Sequence, residues 1–201
     1  MNEKAISNED QQTRSEVLAK GALAVGSVYG ALAVGPYVRR ALGASMGGDV
    51  AIVNFALTLE YLEAKFYSEA RGRVRGSGEL RSLVNLLAED EQQHVEALAA
   101  TAKQLGGKPV AEPKFNFAYS GTSGFLKLAQ TFEDVGVSAY NGAGPMIKSK
   151  EVLAAAGGIV QVEARHAAAI RLQNEEEPAP VAFDEPLGEK QVLKAVEPFL
   201  A

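Results

Sequence analysis

The chain has 201 residues, enough for one domain with a sizeable core or for a domain with an appendage. Its net charge of −5 and sequence pI of about 5.2 exclude general nucleic-acid binding. It has no cysteine, which excludes disulfides, thiolate metal sites, iron–sulfur clusters and thiol catalysis.

Taken in order, residues 1–16 are polar and charged. Gly21 to Val38 is then an apolar run without a charge, closed by Arg39 and Arg40. Gly26 and Gly30, four residues apart, permit close helix approach. This run reads three ways: a cleaved signal, a retained anchor or assembly helix, or a buried helix. The stretch from Thr13 to Lys20 is similar to a twin-arginine export signal with Ser15 in place of the second arginine. The retained reading leads, so the segment is expected to drive a homo-oligomer or larger assembly, with membrane association left open. It also favours the cell envelope, exported or N-terminally anchored, over the cytoplasm.

From about residue 48 the apolar pattern turns helical. A first helix is expected from a cap at Asp49 to about Ala70, with Ile52, Phe55, Ala56, Leu59, Leu62 and Phe66 on one face. Arg71 to Gly78 reads as a solvated turn. A second helix covers about Glu79 to Leu105 and stops at Gly106 and Gly107. Residues 108–122 carry Pro109, Pro113 and scattered aromatics and read as a long crossover. A third helix covers about Ser123 to Asn141, broken by Gly142, Gly144 and Pro145. A fourth covers about Lys150 to Asn174. Glu175 to Pro180 is a linker, with Glu175 to Glu177 a solvated helix end, and a short last helix covers about Gly188 to Val196. The division is therefore 1–47 (N-terminus and apolar segment), 48–174 (helical bundle) and 175–201 (linker and C-terminal helix).

The chemistry is carried by the only two histidines. Each follows a glutamate by three residues, Glu91-x-x-His94 and Glu163-x-x-His166, and that spacing stacks both side chains on one helix face. The first and third helices also align. Thr58-Leu59-Glu60 matches Thr131-Phe132-Glu133, and a tyrosine, Tyr67 or Tyr140, follows each glutamate by seven residues. From Glu60 to Glu91 is 31 residues and from Glu133 to Glu163 is 30, so the chain reads as two helical hairpins in tandem. Two single glutamates and two Glu-x-x-His pairs are the donor set of two-metal carboxylate bundles, and one long crossover is the matching topology.

All four glutamates lie on apolar faces, Glu91 for instance among Val84, Leu87, Ala88, Val95 and Leu98. Bare carboxylates buried together repel one another; two divalent cations neutralise four of them. Tyr67 and Tyr140 read as core tyrosines bonded to a carboxylate. Glu63, one turn from Glu60, is a further candidate for the pocket. Its repeat counterpart is Gly136, so the site is expected to be asymmetric if Glu63 turns inward.

The segments Asn54 to Tyr67, Asp90 to His94, Phe132 to Tyr140, Val162 to His166 and Ala182 to Leu187 resemble the ferritin-like domain of the desiccation-related protein group. The resemblance covers about residues 48–200. It implies an all-α fold: a ferritin-like four-helix bundle with one long crossover, plus an N-terminal apolar helix and a short C-terminal helix. It also implies that Glu60, Glu91, His94, Glu133, Glu163 and His166 are metal ligands and carry the chemistry, with Glu91 and Glu163 bridging. Two iron or two manganese ions suit this donor set. The expected function is a dinuclear metal carboxylate protein with oxidoreductase chemistry on Fe(II), dioxygen or peroxide, ferroxidase, peroxidase-like or manganese-catalase-like, in stress protection. The alternative is a non-catalytic protective or assembly module whose metal site is degenerate or purely structural.

Overall fold

The computed structural model describes residues 48–201. The readings of Gly21 to Val38 and of the N-terminal helix lie outside the described residues. Helix α1 spans Asp49–Arg73, α2 Gly78–Gln104, α3 Gly121–Ala143 and α4 Lys150–Gln173. A short α5 spans Glu189–Val196, and single 3-10 turns follow α3 and α5. Helix α1 packs chiefly on α2, and α3 on α4, so each half of the sequence repeat is one helical hairpin. Among the described residues no helix is long and apolar enough to cross a membrane.

Local chemistry sets the helix ends. Ser77 and Ser149 cap α2 and α4, their hydroxyls accepting from the N–H groups of Leu80 and Val152. Asp49 is not the cap of α1. Its carboxylate accepts from the backbone N–H groups of Lys148 and Ser149 at 2.8 and 2.7 Å, tying the start of α1 to the α3–α4 connection. Helix α1 runs to Arg73, so the expected arginine turn is helical from Arg71 to Arg73; Arg71 reaches the Asn85 carbonyl and Glu89 on α2.

Gly142 does not break α3, which continues to Ala143. A Cβ at Gly142 would lie 2.0 Å from the Leu187 carbonyl oxygen, so glycine there lets the C-terminal chain lie against the helix. The same contact is held by the Leu187 N–H donating to the Ser138 carbonyl at 2.9 Å. Further on, the Asn116 N–H donates to the Phe199 carbonyl and the Ala201 N–H to the Lys114 carbonyl, both at 2.9 Å. The stretch read as linker and helix therefore closes over α3 and the crossover. It buries Val192, Leu193 and Val196 in the same cluster as Phe66, Phe117, Phe125 and Phe132. Phe66 packs its ring on Tyr67, Phe117, Tyr119, Phe125 and Phe132, so the crossover aromatics complete the core rather than loop away from it. A second apolar cluster, with Val53, Leu57, Val95, Leu98, Tyr140 and Ile159, lines the bundle interior. The polar site sits between apolar layers.

Candidate metal centre

Eight polar residues are buried among the described residues, and seven of them are Glu60, Glu63, Glu91, His94, Glu133, Glu163 and His166. Glu60, Glu91, Glu133 and Glu163 are 0 % exposed. Glutamate is almost never fully buried without a partner. Among the described residues no lysine or arginine is buried with these five carboxylates, and the buried side chains there that can carry positive charge are the two histidines.

The donor atoms converge in two overlapping groups. One holds Glu60, Glu91, His94 and Glu163; the other holds Glu91, Glu133, Glu163 and His166. Within each group the ligating atoms all lie within 4.8 Å of one another. Glu91 and Glu163 belong to both. The two oxygens of Glu91 divide between the histidines: Oε2 is 3.2 Å from His94 Nδ1 and Oε1 is 2.8 Å from His166 Nδ1. The histidine rings face each other with centroids 6.2 Å apart.

These contacts do not satisfy the groups that make them. His94 Nδ1 has oxygens of Glu60, Glu91 and Glu163 at 3.2, 3.2 and 2.9 Å, yet a ring nitrogen carries at most one proton. His166 Nδ1 and Glu91 Oε1 stand at ion-pair distance but are not aligned for a hydrogen bond, and both are buried without a hydrogen-bond partner. Glu133 Oε2 and both oxygens of Glu163 are orphaned in the same way. An unmet buried polar atom costs about 1–3 kcal/mol, more for a charged group. Lone pairs aimed at a common point rather than at one another fit a cation at that point. Carboxylate and imidazole donors suit iron or manganese.

The remaining carboxylate valences are met across the repeat. Tyr67, on α1, donates to Glu133 Oε1 on α3, and Tyr140, on α3, donates to Glu60 Oε1 on α1. Burial and the neighbouring carboxylate hold both phenols well above their ordinary pKa of 10.0, so they stay protonated donors. Each tyrosine leaves the second oxygen of its glutamate facing the pocket.

Asp90 is a residue that spacing did not single out. Its Oδ2 lies 3.2 Å from His166 Nε2, the ring nitrogen that faces away from the pocket. A carboxylate there fixes the tautomer that leaves Nδ1 free as a donor to a metal. The partners are 76 residues apart, and the repeat equivalent of Asp90 is Val162, so neither helix periodicity nor the repeat carried a signal. Asp90→Asn is expected to weaken metal affinity by about 10–100-fold, read by competition with a chelator. Unchanged affinity would show His166 to be held by packing alone.

Glu63 turns inward and is buried. The helix interior at Gly136 makes room for it, since a Cβ there would lie 3.0 Å from Glu63 Oε1. Glycine in a helix interior costs about 1 kcal/mol against alanine, and here that cost leaves space for a carboxylate.

In the metal-free protein, burial first and the charge of Glu163 second push Glu63 and Glu91 well above the ordinary carboxylate pKa of 4.5, and Glu133 shifts for the same reasons. Glu163 is raised by burial and by Glu60, against the opposing pull of the nearby His94 and His166 rings. For His94, burial favours the neutral ring, but the carboxylates of Glu163, Glu60 and Glu91 close to the ring outweigh it and raise the pKa to about 12. The sign follows. All these groups bind protons more tightly folded than unfolded, so their stabilisation is complete at low pH and is lost as pH rises. The carboxylate part fades from about pH 4.5 upward, by about 1.4 kcal/mol per pH unit for each excess proton held. The His94 part is complete below 6.5 and fades toward 12. The thermal midpoint of the metal-free protein is thus expected to fall between pH 5 and pH 8. A flat or rising profile would contradict this electrostatic account.

Among the described residues a groove borders His94 and His166. It runs between α2 and α4 and is lined by Leu83, Leu86, Asp90, His94, Arg165 and His166 among others.

The Ferritin-like domain family model matches residues 48–176, and the chain belongs to that family. A solved structure of similar fold is described as a crystal structure of ferritin like, diiron-carboxylate proteins from Bacillus anthracis str. Ames. The likeness covers 62% of this chain and 94% of that one, with 21% sequence identity and a TM-score of 0.57. No curated protein matches the chain.

Proposed function

We propose that the bundle holds a dinuclear iron or manganese centre and acts as an oxidoreductase on Fe(II), dioxygen or peroxide, in stress protection. The observation that carries this reading is the pair of overlapping donor groups sharing Glu91 and Glu163, with buried donor atoms that no protein group satisfies. The similar diiron-carboxylate fold supports it. The segments resembling the desiccation-related group support the stress role.

When bound, two redox-active ions supply or accept the electrons exchanged with oxygen species. The protein does the rest. Glu91 and Glu163, which belong to both donor groups, would serve both ions, with Glu60 and His94 on one side and Glu133 and His166 on the other. Tyr67 and Tyr140 fix the rotation of Glu133 and Glu60. Asp90 fixes His166. The apolar layers keep bulk water from the carboxylates, and the α2–α4 groove admits a small solute on the histidine side.

The test is Fe(II) oxidation under air and peroxide consumption by iron- and manganese-loaded protein, beside a His94→Ala, His166→Ala variant. Turnover that drops at least a hundredfold in the variant supports the reading. Equal rates in both proteins would overturn it and leave a protective or assembly module.

A further inference from the structure

The six donors of the centre are related by the internal repeat, but its charge is not. Glu60, Glu63 and Tyr67 correspond to Glu133, Gly136 and Tyr140, so one carboxylate has no counterpart. Glu63 is 2% exposed and lies outside both four-residue donor groups. A Cβ on Gly136 would lie 3.0 Å from Glu63 Oε1 and 3.6 Å from Glu163 Oε2, so these two oxygens flank one small space beside the shared ligand Glu163. Among the described residues no buried lysine or arginine neutralises Glu63. Glu163, Glu91, Glu133 and Glu60 all repel its charge, and a cation held in the pocket would offset that repulsion.

We propose that Glu63 is a charge-setting carboxylate of the metal centre, admitted by Gly136, that favours the more highly charged state of the ion pair. The inference rests on the dinuclear reading above. Beside a cation a carboxylate stays ionised. The five buried glutamates then carry a charge of −5. Two divalent ions leave the pocket at −1 and two trivalent ions at +1, so the oxidised and reduced states are balanced about neutrality. With glutamine at position 63 the same states are 0 and +2, and the oxidised pair becomes the costly one. Charge interactions in a buried site are weakly screened, so a single charge at this range shifts the balance measurably. Glu63 acts through the field and through Glu163; it is a positioning residue and needs no contact with substrate.

The experiment is a potentiometric titration of the full chain, loaded anaerobically with Fe(II), oxidised with ferricyanide and reduced with dithionite in the presence of mediator dyes. Each trivalent ion takes one electron from dithionite and becomes divalent, two electrons per pair, with no bond broken in the protein. Metal content is measured on the same samples. In Glu63→Gln, about two ions are expected to remain, with the mean reduction potential raised by at least about 59 mV, a tenfold change in relative affinity for the oxidised ion. Gly136→Ala, which pushes the carboxylate aside while keeping the charge, is expected to raise it by less. Two ions and an unchanged potential in Glu63→Gln would overturn the proposal and leave the dinuclear centre standing. Loss of an ion in Glu63→Gln would make Glu63 a ligand and also overturn it. A wild-type chain that holds neither iron nor, after loading with Mn(II), manganese would overturn both readings together.

Discussion

Binding two divalent ions is expected to raise the thermal midpoint of this protein at pH 7.5 by about 10–20 °C, and a chelator is expected to remove the gain. The size follows from the site. Four fully buried glutamates and orphaned donor atoms make the metal-free pocket the least satisfied part of the fold. A ligand at a hundred times its dissociation constant stabilises by about 2.7 kcal/mol per site, so two sites supply about 5 kcal/mol. For a domain of this size each kcal/mol moves the midpoint by about 2–4 °C. The gain should also grow with pH, because protons leave the carboxylates that the ions would otherwise neutralise. Bound metal with no thermal shift would place the ions on exposed carboxylates, away from the bundle centre.

The second large effect separates shared from single-sided ligands. Glu91 and Glu163 belong to both donor groups, whereas Glu60 belongs to one and Glu133 to the other. Glu91→Ala or Glu163→Ala is expected to take metal content from two ions per chain to none. Glu60→Ala or Glu133→Ala is expected to leave about one. The affinity lost should exceed the roughly 10–100-fold that removal of an outer partner costs. Isothermal titration with Mn(II), or elemental analysis after desalting, reads both classes. Equal losses in all four variants would mean that the ions do not share Glu91 and Glu163.

Much of this site was legible before any coordinates. Two histidines, each three residues after a glutamate, and two glutamates each followed seven residues on by tyrosine, define helix faces and a tandem repeat. Helix periodicity alone then puts the six residues inside the bundle. The apolar residues expected around Glu91, Val84, Leu87, Ala88, Val95 and Leu98, are all buried with it. Periodicity says nothing, however, about contacts between helices. That Tyr67 serves Glu133 and Tyr140 serves Glu60 is a crossing between repeats, since the bundle sets α1 opposite α3. Asp90 was hidden for the same reason.

The misread glycine and aspartate have local causes. Gly142 looked like a helix breaker because glycine near a proline usually ends a helix; its role is close approach by the Leu187 carbonyl, a contact with a chain segment 45 residues away. Asp49 looked like a cap because it precedes an apolar run; its carboxylate is instead taken by backbone N–H groups about 100 residues further on. In both cases a long-range partner decided what a local propensity could not. Glu63 lies between these extremes. Its one-turn spacing from Glu60 put it on the right face, but only the space left by Gly136 shows that it is turned inward.

The central claim is that the bundle was built around two metal ions. Metal content per chain, measured by elemental mass spectrometry on protein grown with both iron and manganese, tests it most directly, with a His94→Ala, His166→Ala variant beside it. About two ions of iron or manganese per chain, lost in the variant, is the predicted result. Wild-type protein that carries no metal, or carries as much as the variant, would contradict it.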